Sequence, residues 1–337
     1  MVGRLDTGVG AVPVVSALLS PVDHWGSFKV RLDFGRMDYE VDPGLYAVGV
    51  PGVGSPVLVT ANYKLSFDIL RCNLVGRDVW LLVLDTKGVN VWCAAGKGTL
   101  STEGLVAGIN DSRLARLVDH RQVILPQLAG PGIAAHLVPK STGFSVRYGP
   151  VMAADLPSYL DSGGEATAAM RVKDFPFRER CLLSPLELVL ALKGSLPFFV
   201  ALAFLFGLLP GDEYLRKVVD QAIGGLYPYL AGVLAGTVIT PLLLPWLPGR
   251  SFALKGAVAG LALAAGLLWF LPQLNWMHGC ATLLIVTVLS SYWGMKFTGA
   301  STYTSLSGVK KEMRFAVPLQ IAGGVIGLGC WLAARLI

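Results

Sequence analysis

The residues best able to do chemistry lie in one short segment, Asn90 to Lys97, which reads Asn-Val-Trp-Cys-Ala-Ala-Gly-Lys. Asn90 is a favourable helix N-cap, which places Cys93 in the first turn of the helix that follows. A cysteine at a helix N-terminus is well suited to act as a nucleophile or metal ligand, and its soft sulfur suits a soft or redox-active metal. The small residues after Cys93 leave room for a flat, bulky group. The segment therefore predicts a cysteine site on a helix start.

Two simpler interpretations stay open on spacing alone. Cys93 could be a small core residue, which is the commoner role of an isolated cysteine. The run Ala-Ala-Gly-Lys-Gly-Thr invites comparison with a phosphate-binding loop. However, Val91 stands where the first glycine is required, and Gly98 stands where the hydroxyl residue is required. The pattern therefore argues against nucleotide binding and leaves the role of Cys93 undecided.

The segment follows Val79–Leu84, a fully apolar run typical of a strand buried on both faces of a sheet. Residues 1–180 alternate β-rich runs with helical segments, which predicts an α/β domain with a parallel sheet. A helix is predicted over Asn62–Arg71. Further strands are predicted at Phe28–Phe34, Gly44–Val50, Pro56–Thr60, Val123–Leu128 and Phe144–Tyr148.

In open α/β sheets, ligands bind at the carboxyl ends of the strands. The loops near Thr60, Asn90, Gly130 and Gly149 are therefore expected to form the site. The five cysteines are odd in number, widely spaced and without a CxxC pair, which argues against a disulfide framework or a cysteine-ligated zinc or iron–sulfur site. No basic run with interleaved aromatics marks a nucleic-acid surface in this half.

The C-terminal half predicts a membrane domain. Apolar residues make up 53% of the chain and charged residues only 15%, below the roughly 25% of an ordinary soluble domain. A transmembrane helix needs about 20 largely apolar residues. Residues 181–337 are therefore predicted to form an all-α bundle of about five helices. The predicted spans are about 185–209, 222–247, 254–272, 279–296 and 315–335. The number of spans falls to four if the first segment lies in the membrane interface instead of crossing the bilayer.

Orientation follows from the basic residues near the span ends, most of which fall on the side of the N-terminal domain. No secretory signal precedes that domain. We expect a multi-pass protein of the cytoplasmic (inner) membrane, with residues 1–180 in the cytoplasm. The span centres carry almost no ionisable residues, so the bundle is expected to serve as an anchor.

The string Asn90–Gly98 resembles the cap-helix motif of the corrinoid-binding domain shared by the large subunit of the corrinoid iron–sulfur protein and by the HgcA family of microbial mercury methylation. Ser55–Asp68 and Val146–Val151 resemble the same domain, so the similarity covers roughly residues 45–180. Corrinoid iron–sulfur proteins are soluble and carry an N-terminal cysteine cluster. A corrinoid domain followed by membrane spans is the order typical of the HgcA family. The resemblance implies a Rossmann-like corrinoid-binding domain.

For that family, the resemblance implies a base-off cobamide with Cys93 as the lower axial ligand to cobalt. It implies a corrinoid-dependent methyltransferase that passes a methyl group from methyl–Co(III) to Hg(II), giving methylmercury. Because Hg(II) is an electrophile, the methyl group must leave with electron density, which an opposing thiolate supplies. The implied partners are an HgcB-like ferredoxin with two [4Fe-4S] clusters, a methyl-folate-dependent methyl donor system and membrane lipid.

The implied catalytic and metal-binding residue is Cys93. The residues expected to bind the cofactor lie on the two neighbouring loops and on the cap helix: Thr60, Asn62, Ser66, Asn90, Val91, Trp92, Ala94, Ala95, Gly96 and Lys97. Simpler roles stay open for several of them, as helix caps, core packing or a solvated helix face. Two other functions also stay open: a corrinoid methyl carrier of one-carbon or acetyl-CoA metabolism, and a non-enzymatic membrane transport or sensor protein.

Overall fold

The structure is a computed structural model, and it describes residues 1–206, 225–270, 275–301 and 306–334. The chain divides into two compact units, each described by itself below. The first comprises Met1–Val30 and Phe34–Lys173, and the second comprises Arg31–Asp33 and Asp174–Ile337.

The first unit is a seven-stranded mixed sheet with helices, in the strand order β1-β2-β3-β5-β4-β6-β7. The strands are β1 Gly3–Thr7, β2 Gly10–Val14, β3 Gly44–Val48, β4 Val57–Ala61, β5 Val79–Leu84, β6 Gln122–Leu125 and β7 Ser145–Tyr148. The helices are α1 Pro21–Arg31, α2 Lys64–Cys72, α3 Val91–Lys97, α4 Thr102–Asp111, α5 Val138–Thr142 and α6 Leu156–Asp161. Short 3-10 turns lie at Arg36–Asp38, Leu114–Arg116, Gln127–Ala129, Ala153–Asp155 and Ala169–Arg171.

Strand β5 is buried along its whole length, as its apolar sequence predicts. Its alternate side chains enter two different cores. Leu82 and Leu84 pack in a core with Leu105 of α4, whereas Leu81 packs in a second core with Phe67 of α2. Burial of each such side chain stabilises the fold by roughly 1.5–3 kcal/mol. Because the two cores lie on opposite faces, the strand that leads to Asn90 is packed on both sides.

The prediction of a parallel sheet is correct only in part. Strands β4, β5, β6 and β7 are mutually parallel, but β3 pairs antiparallel with β5, and β1 pairs antiparallel with β2. A parallel crossover needs a dozen or more residues. Only residues 49–56 connect β3 to β4, so the chain reverses direction instead.

The predicted strand Phe28–Phe34 is wrong, because most of it belongs to α1. Ser20 and Asp23 form a reciprocal cap: the Ser20 N–H donates to Asp23 Oδ2 at 2.9 Å, and the Asp23 N–H donates to Ser20 Oγ at 3.2 Å. Pro21 is the first helical residue, a position that proline favours. These start signals outweigh the alternating pattern of the residues that follow.

The second unit is helical in the part that the structure describes. Its long helices are α7 Phe177–Phe206, α8 Gly225–Leu242, α9 Phe252–Phe270, α10 Trp276–Lys296 and α11 Leu306–Ala333, with a 3-10 turn at Phe297–Ala300. Helix α8 contains a π-helical stretch at Ala235–Ile239. Among the described residues, four stretches are long and apolar enough to cross a membrane: Gly225–Leu242, Phe252–Phe270, Trp276–Gly299 and Ser307–Ala333.

These four stretches overlap the last four predicted spans. The first predicted span, 185–209, runs past the end of α7 at residue 206 and so lies partly outside the described residues. Helix α11, Leu306–Ala333, includes residues ahead of the membrane span predicted from about 315, and these early turns carry charged residues that are good helix formers.

Glycines bring α9 and α10 close together, which is common where helices pack inside a membrane. The Ser290 hydroxyl donates to the Gly256 carbonyl oxygen at 2.6 Å. A Cβ placed on Gly260 would lie 2.6 Å from Ser290 Cβ, so a side chain there would separate the helices.

Candidate functional site

The carboxyl ends of β4, β5, β6 and β7 meet at one edge of the sheet because these four strands are parallel. Asn62 follows β4, and residues 85–90 connect β5 to α3. The sequence-predicted site residues therefore lie on elements that the sheet topology gathers at this edge.

Cys93 occupies the first turn of α3, as the sequence predicts. Asn90 has an extended backbone, and its Oδ1 accepts a hydrogen bond from the Cys93 N–H at 3.0 Å. The helix ends at Gly98, whose φ of +79° lies in the left-handed region that favours glycine. The Cys93 side chain is exposed, so it does not play the core role that spacing alone left open.

Helix α3 has two distinct faces. Ala94 and Ala95 are buried and pack in the core beneath the helix. Cys93, Gly96 and Lys97 are exposed, and their i, i+3, i+4 spacing places them on one face. The alanines therefore serve packing, and they do not line the exposed surface.

Room beside Cys93 comes from Gly96. A Cβ built on Gly96 would meet no heavy atom within 4 Å, so that face opens to solvent. Trp92 is 40% exposed at the same helix end, while Val91 is partly buried against the core. The surface around Cys93 is thus open enough for a flat group.

The glycine-rich loop after β6 supports α3 from behind. A Cβ on Gly132 would overlap the Leu100 carbonyl oxygen and lie 3.0 Å from Ala95 Cα. The loop backbone therefore touches the helix so closely that a larger residue would displace it. The sequence pointed to Gly130 in this loop, but the closest approach belongs to Gly132.

Asn62 holds the loop that precedes the cap helix. Its Oδ1 accepts hydrogen bonds from the backbone N–H of Thr86 and of Gly88, each at 3.0 Å. The Thr86 hydroxyl lies 2.8 Å from the same oxygen and 2.7 Å from the Val89 carbonyl oxygen. The Asn62 amide group in turn donates to Glu40 Oε2 at 3.1 Å. The contacts of Asn62 Oδ1 are all with this loop, so Asn62 positions the loop that leads into the cap helix.

Thr86, Gly88 and Glu40 were missed by the sequence analysis. Gly88 has a φ of +65°, and a Cβ there would lie 3.2 Å from Glu40 Oε2. The Thr-Lys-Gly run before Asn90 carries a turn signal that could have indicated this arrangement, but Glu40 is too distant in sequence to be linked to it.

The two remaining predicted residues lie on β4 and α2. Thr60 is 4% exposed within β4, and Ser66 is partly buried in the first turns of α2. The Ser66 backbone N–H donates to the Tyr63 carbonyl oxygen at 2.9 Å.

Charged groups at this edge include an exposed pair on the loop before α3. Lys87 Nζ lies 2.5 Å from Asp85 Oδ2, and this hydrogen bond lowers the pKa of Asp85 and raises the pKa of Lys87. The Lys87 ammonium is therefore paired with Asp85. The exposed Lys97, four residues after Cys93 on the cap helix, is the cation best placed to contact a ligand there.

These residues fit a flat metal complex that takes one protein sulfur as a ligand. Such a complex needs an accessible thiolate, a rigid support and a free surface beside the sulfur. Cys93 is accessible, Asn90 and Gly132 fix the helix that carries it, and Gly96 leaves the surface free. A corrin ring with its cobalt is a flat metal complex of this kind.

The fold and the site define an α/β domain with a cysteine-bearing cap helix at the carboxyl edge of its strands. The profile of the CO dehydrogenase/acetyl-CoA synthase delta subunit family matches residues 33–156, which include Asn62, Asn90 and Cys93. The chain is also similar to gamma subunits of acetyl-CoA decarbonylase/synthase complexes.

The gamma subunit of Methanopyrus kandleri is 34% identical over 134 residues, which is 38% of this chain and 28% of the relative. That of Methanothermobacter thermautotrophicus is 34% identical over 128 residues, 37% of this chain and 28% of the relative. That of Methanocaldococcus jannaschii is 38% identical over 96 residues, 28% of this chain and 20% of the relative. The chain thus aligns with less than a third of the length of these relatives.

Proposed function

We propose that this chain is a membrane-anchored corrinoid methyltransferase in which the Cys93 sulfur is the lower axial ligand of cobalt and Hg(II) accepts the methyl group. The observation that carries the proposal is the exposed Cys93 on a capped helix at the carboxyl edge of the strands. When bound, the corrinoid supplies methyl transfer through its cobalt.

The residues of the chain divide the work of holding that group. Asn90 fixes the first turn of α3 and so sets the direction of the Cys93 side chain. Gly96 leaves the adjoining helix surface free for the ring, and Lys97 provides a cation for a polar substituent of the ligand. Asn62 positions the preceding loop through Thr86 and Gly88.

The thiolate of Cys93 is what favours Hg(II) as the acceptor. A thiolate donates electron density to the metal it binds, which favours transfer of a methyl group with its electrons. Hg(II) is an electrophile and requires a methyl group of that character. The HgcA-like cap-helix motif and the four apolar helices support the same assignment.

A second candidate is a corrinoid methyl carrier of one-carbon or acetyl-CoA metabolism. The comparisons favour it more than they favour mercury methylation, since the similar proteins are subunits of acetyl-CoA decarbonylase/synthase complexes. On this alternative, the partners would be further subunits of such a complex. On the main proposal, the partners are an HgcB-like ferredoxin with two [4Fe-4S] clusters and a methyl-folate-dependent donor.

One experiment separates these candidates. The purified chain, loaded with methylated corrinoid and supplied with a reducing ferredoxin, is given Hg(II) in one reaction and a small thiol in another. Methylmercury formation supports the main proposal. Methylation of the thiol without methylmercury supports the carrier, and failure of the protein to retain any cobalt would leave only the non-enzymatic membrane protein.

A further inference from the structure

The first unit contains a cavity at the edge of the sheet opposite to the one that carries the candidate site. Pro56, Val79 and Gln122 line this cavity, and they stand at or next to the amino ends of β4, β5 and β6. The cavity measures about 440 Å³, within the range of roughly 300–1,000 Å³ that is typical of small-molecule sites. It is therefore large enough for a small organic ligand, and it is separate from Cys93.

The lining of the cavity combines an apolar floor with charged groups. Val79 and Ile124 are buried side chains of the sheet, and Leu160 of α6 lines the same space. Arg77, in the turn before β5, and Arg147, on β7, contribute guanidinium groups. An apolar surface with a few convergent charged groups is the usual construction of a site for a small organic ion.

The guanidinium group of Arg147 is seated on two glycines that follow α6. Its Nη1 donates to the Gly163 carbonyl oxygen at 3.1 Å. A Cβ on Gly164 would lie 2.6 Å from Nη1 and 3.1 Å from Cζ of Arg147, so the guanidinium occupies the space that a side chain would fill. Among the residues that the structure describes, no carboxylate forms an ion pair with Arg147. Because a guanidinium carries five N–H donors, most of them are left for a ligand.

The second guanidinium, that of Arg77, is held by an exchangeable partner. Its Nη1 and Nη2 donate to Oδ1 and Oδ2 of Asp161 at 2.8 and 2.7 Å. The Asp161 side chain is 65% exposed, and water competes strongly for ion pairs at such a position. A ligand carboxylate has the same planar geometry as the Asp161 carboxylate, so it can replace Asp161 at Arg77.

The charges at this end of the cavity match a ligand with one negative charge. The two guanidinium groups of Arg77 and Arg147 and the one carboxylate of Asp161 leave a formal charge of +1. Asp78 also lines the cavity, but it precedes β5, which lies three strands and roughly 14 Å from β7 in the sheet. Its Oδ1 accepts a hydrogen bond from the Val50 N–H at 2.7 Å. The carboxylate of Asp78 therefore leaves the Arg147 end cationic.

We propose that this cavity binds a small organic acid, whose carboxylate contacts Arg147 and Arg77 and whose apolar body lies on Val79 and Ile124. Gly164 is the residue that makes room for the Arg147 guanidinium. The site is independent of the proposed function, because it lies at the amino edge of the strands and uses none of the residues around Cys93.

The test is equilibrium dialysis of the full chain in micelles of a non-ionic detergent, with protein-free micelles as the reference. The probes are carbon-14 labelled phenylacetate and hexanoate, which join one carboxylate to a flat or a linear apolar body. Labelled 2-phenylethanol has the body of phenylacetate without the charge, and inorganic phosphate has charge without an apolar body. We expect saturable binding of at least one of the two acids and none of 2-phenylethanol or phosphate.

Two substitutions remove or displace the main cationic contact. Arg147→Gln should weaken acid binding by roughly tenfold or more, because a charged hydrogen bond is lost. Arg116→Gln, at an exposed arginine elsewhere in the first unit, is its control and should leave binding unchanged. Gly164→Ala should also weaken binding, because the new Cβ displaces the Arg147 guanidinium. Gly143→Ala introduces the same left-handed strain, with φ of +75° against +84°, but meets no atom within 4 Å and should not affect binding.

A third substitution should act in the opposite direction. Asp161→Asn removes the carboxylate that competes for Arg77, so acid binding should become several times tighter, which a merely structural ion pair would not produce. The absence of saturable binding of both acids would overturn the proposal. Equal affinity in wild type and Arg147→Gln, or binding of phosphate or 2-phenylethanol in place of the acids, would also overturn it.

Discussion

Asn62 and Thr86 are joined twice across neighbouring strand ends. The Thr86 backbone N–H donates to Asn62 Oδ1 at 3.0 Å, and the Thr86 hydroxyl lies 2.8 Å from the same oxygen. The two residues are 2% and 0% exposed. This pair links the loop after β4 to the loop that leads into α3, so the position of Cys93 depends on a contact remote from the sulfur.

Asn62→Leu should therefore destabilise the first unit by roughly 3 kcal/mol, because the buried N–H groups of Thr86 and Gly88 lose their acceptor. Urea unfolding can be followed through the fluorine NMR signal of fluorotryptophan at Trp80, which is 1% exposed. Ser66→Ala, on the adjacent helix, should change the free energy of unfolding by less than about 0.5 kcal/mol. Equal effects of the two variants would argue against the loop-holding role of Asn62.

Asn90→Ala should lower stability by about 1 kcal/mol through loss of a helix cap. Ser101 provides a matched control, since its Oγ caps α4 by accepting from the Gly104 N–H at 3.1 Å. We expect Ser101→Ala to cost a similar free energy of unfolding. Only Asn90→Ala should weaken corrinoid retention and alter the visible spectrum of the loaded protein. A spectrum unchanged in both variants would contradict the positioning role of Asn90.

Gly96→Leu should raise stability by about 0.5–1 kcal/mol, because leucine is the better helix former and no neighbouring atom lies within 4 Å of a new Cβ. The same side chain should block a flat ligand beside Cys93 and reduce corrinoid affinity at least tenfold. Gly104→Leu, on the exposed side of α4, is the control and should leave that affinity unchanged. If binding titrations give Gly96→Leu the wild-type affinity for the corrinoid, then the corrinoid does not bind at this face of α3.

The cluster between α1 and α2 predicts an acid dependence of stability. Burial of Asp23 disfavours its charged form, but hydrogen bonds from Lys64, Ser20 and Arg71 outweigh burial and hold its pKa well below its usual range. The unfolded chain therefore takes up the proton first as the pH falls. The stabilisation is complete above about pH 4 and is lost progressively below it.

Asp23→Asn should be less stable at pH 7 and should lose less stability between about pH 4 and pH 2 than the wild type. The urea midpoint at each pH, followed at Trp80, measures this slope. Asp111→Asn, at the exposed end of α4, should keep the wild-type slope. An unchanged slope in Asp23→Asn would show that other carboxylates control acid unfolding.

The sequence predicts the elements whose patterns are local. Val79–Leu84 forms β5 with the predicted bounds, because a continuous apolar run between turn residues has few alternatives. Asn90 caps α3 as predicted, because an N-cap depends on neighbours three residues away. The apolar helices of the second unit were also recognisable from composition.

Features that depend on distant residues could not be read from the sequence. The engagement of Asn62 by Thr86 and Glu40 arises only when three loops meet. The burial of Ala94 and Ala95, rather than their exposure to a ligand, follows from packing of the loop that contains Gly132. The strand predicted over Phe28–Phe34 is wrong because the reciprocal cap of Ser20 and Asp23 starts a helix that runs into this segment, although its residues alternate in polarity as a strand does.

The role of Cys93 as a cobalt ligand is tested most directly by X-ray absorption at the cobalt edge of the corrinoid-loaded full chain. Cys72, partly buried on α2, provides the control, and both cysteines are changed separately to alanine. We expect sulfur scattering at cobalt in the wild type and in Cys72→Ala, and its loss in Cys93→Ala with the corrinoid still bound. Sulfur scattering that persists in Cys93→Ala, or nitrogen-only coordination in the wild type, would contradict the assignment.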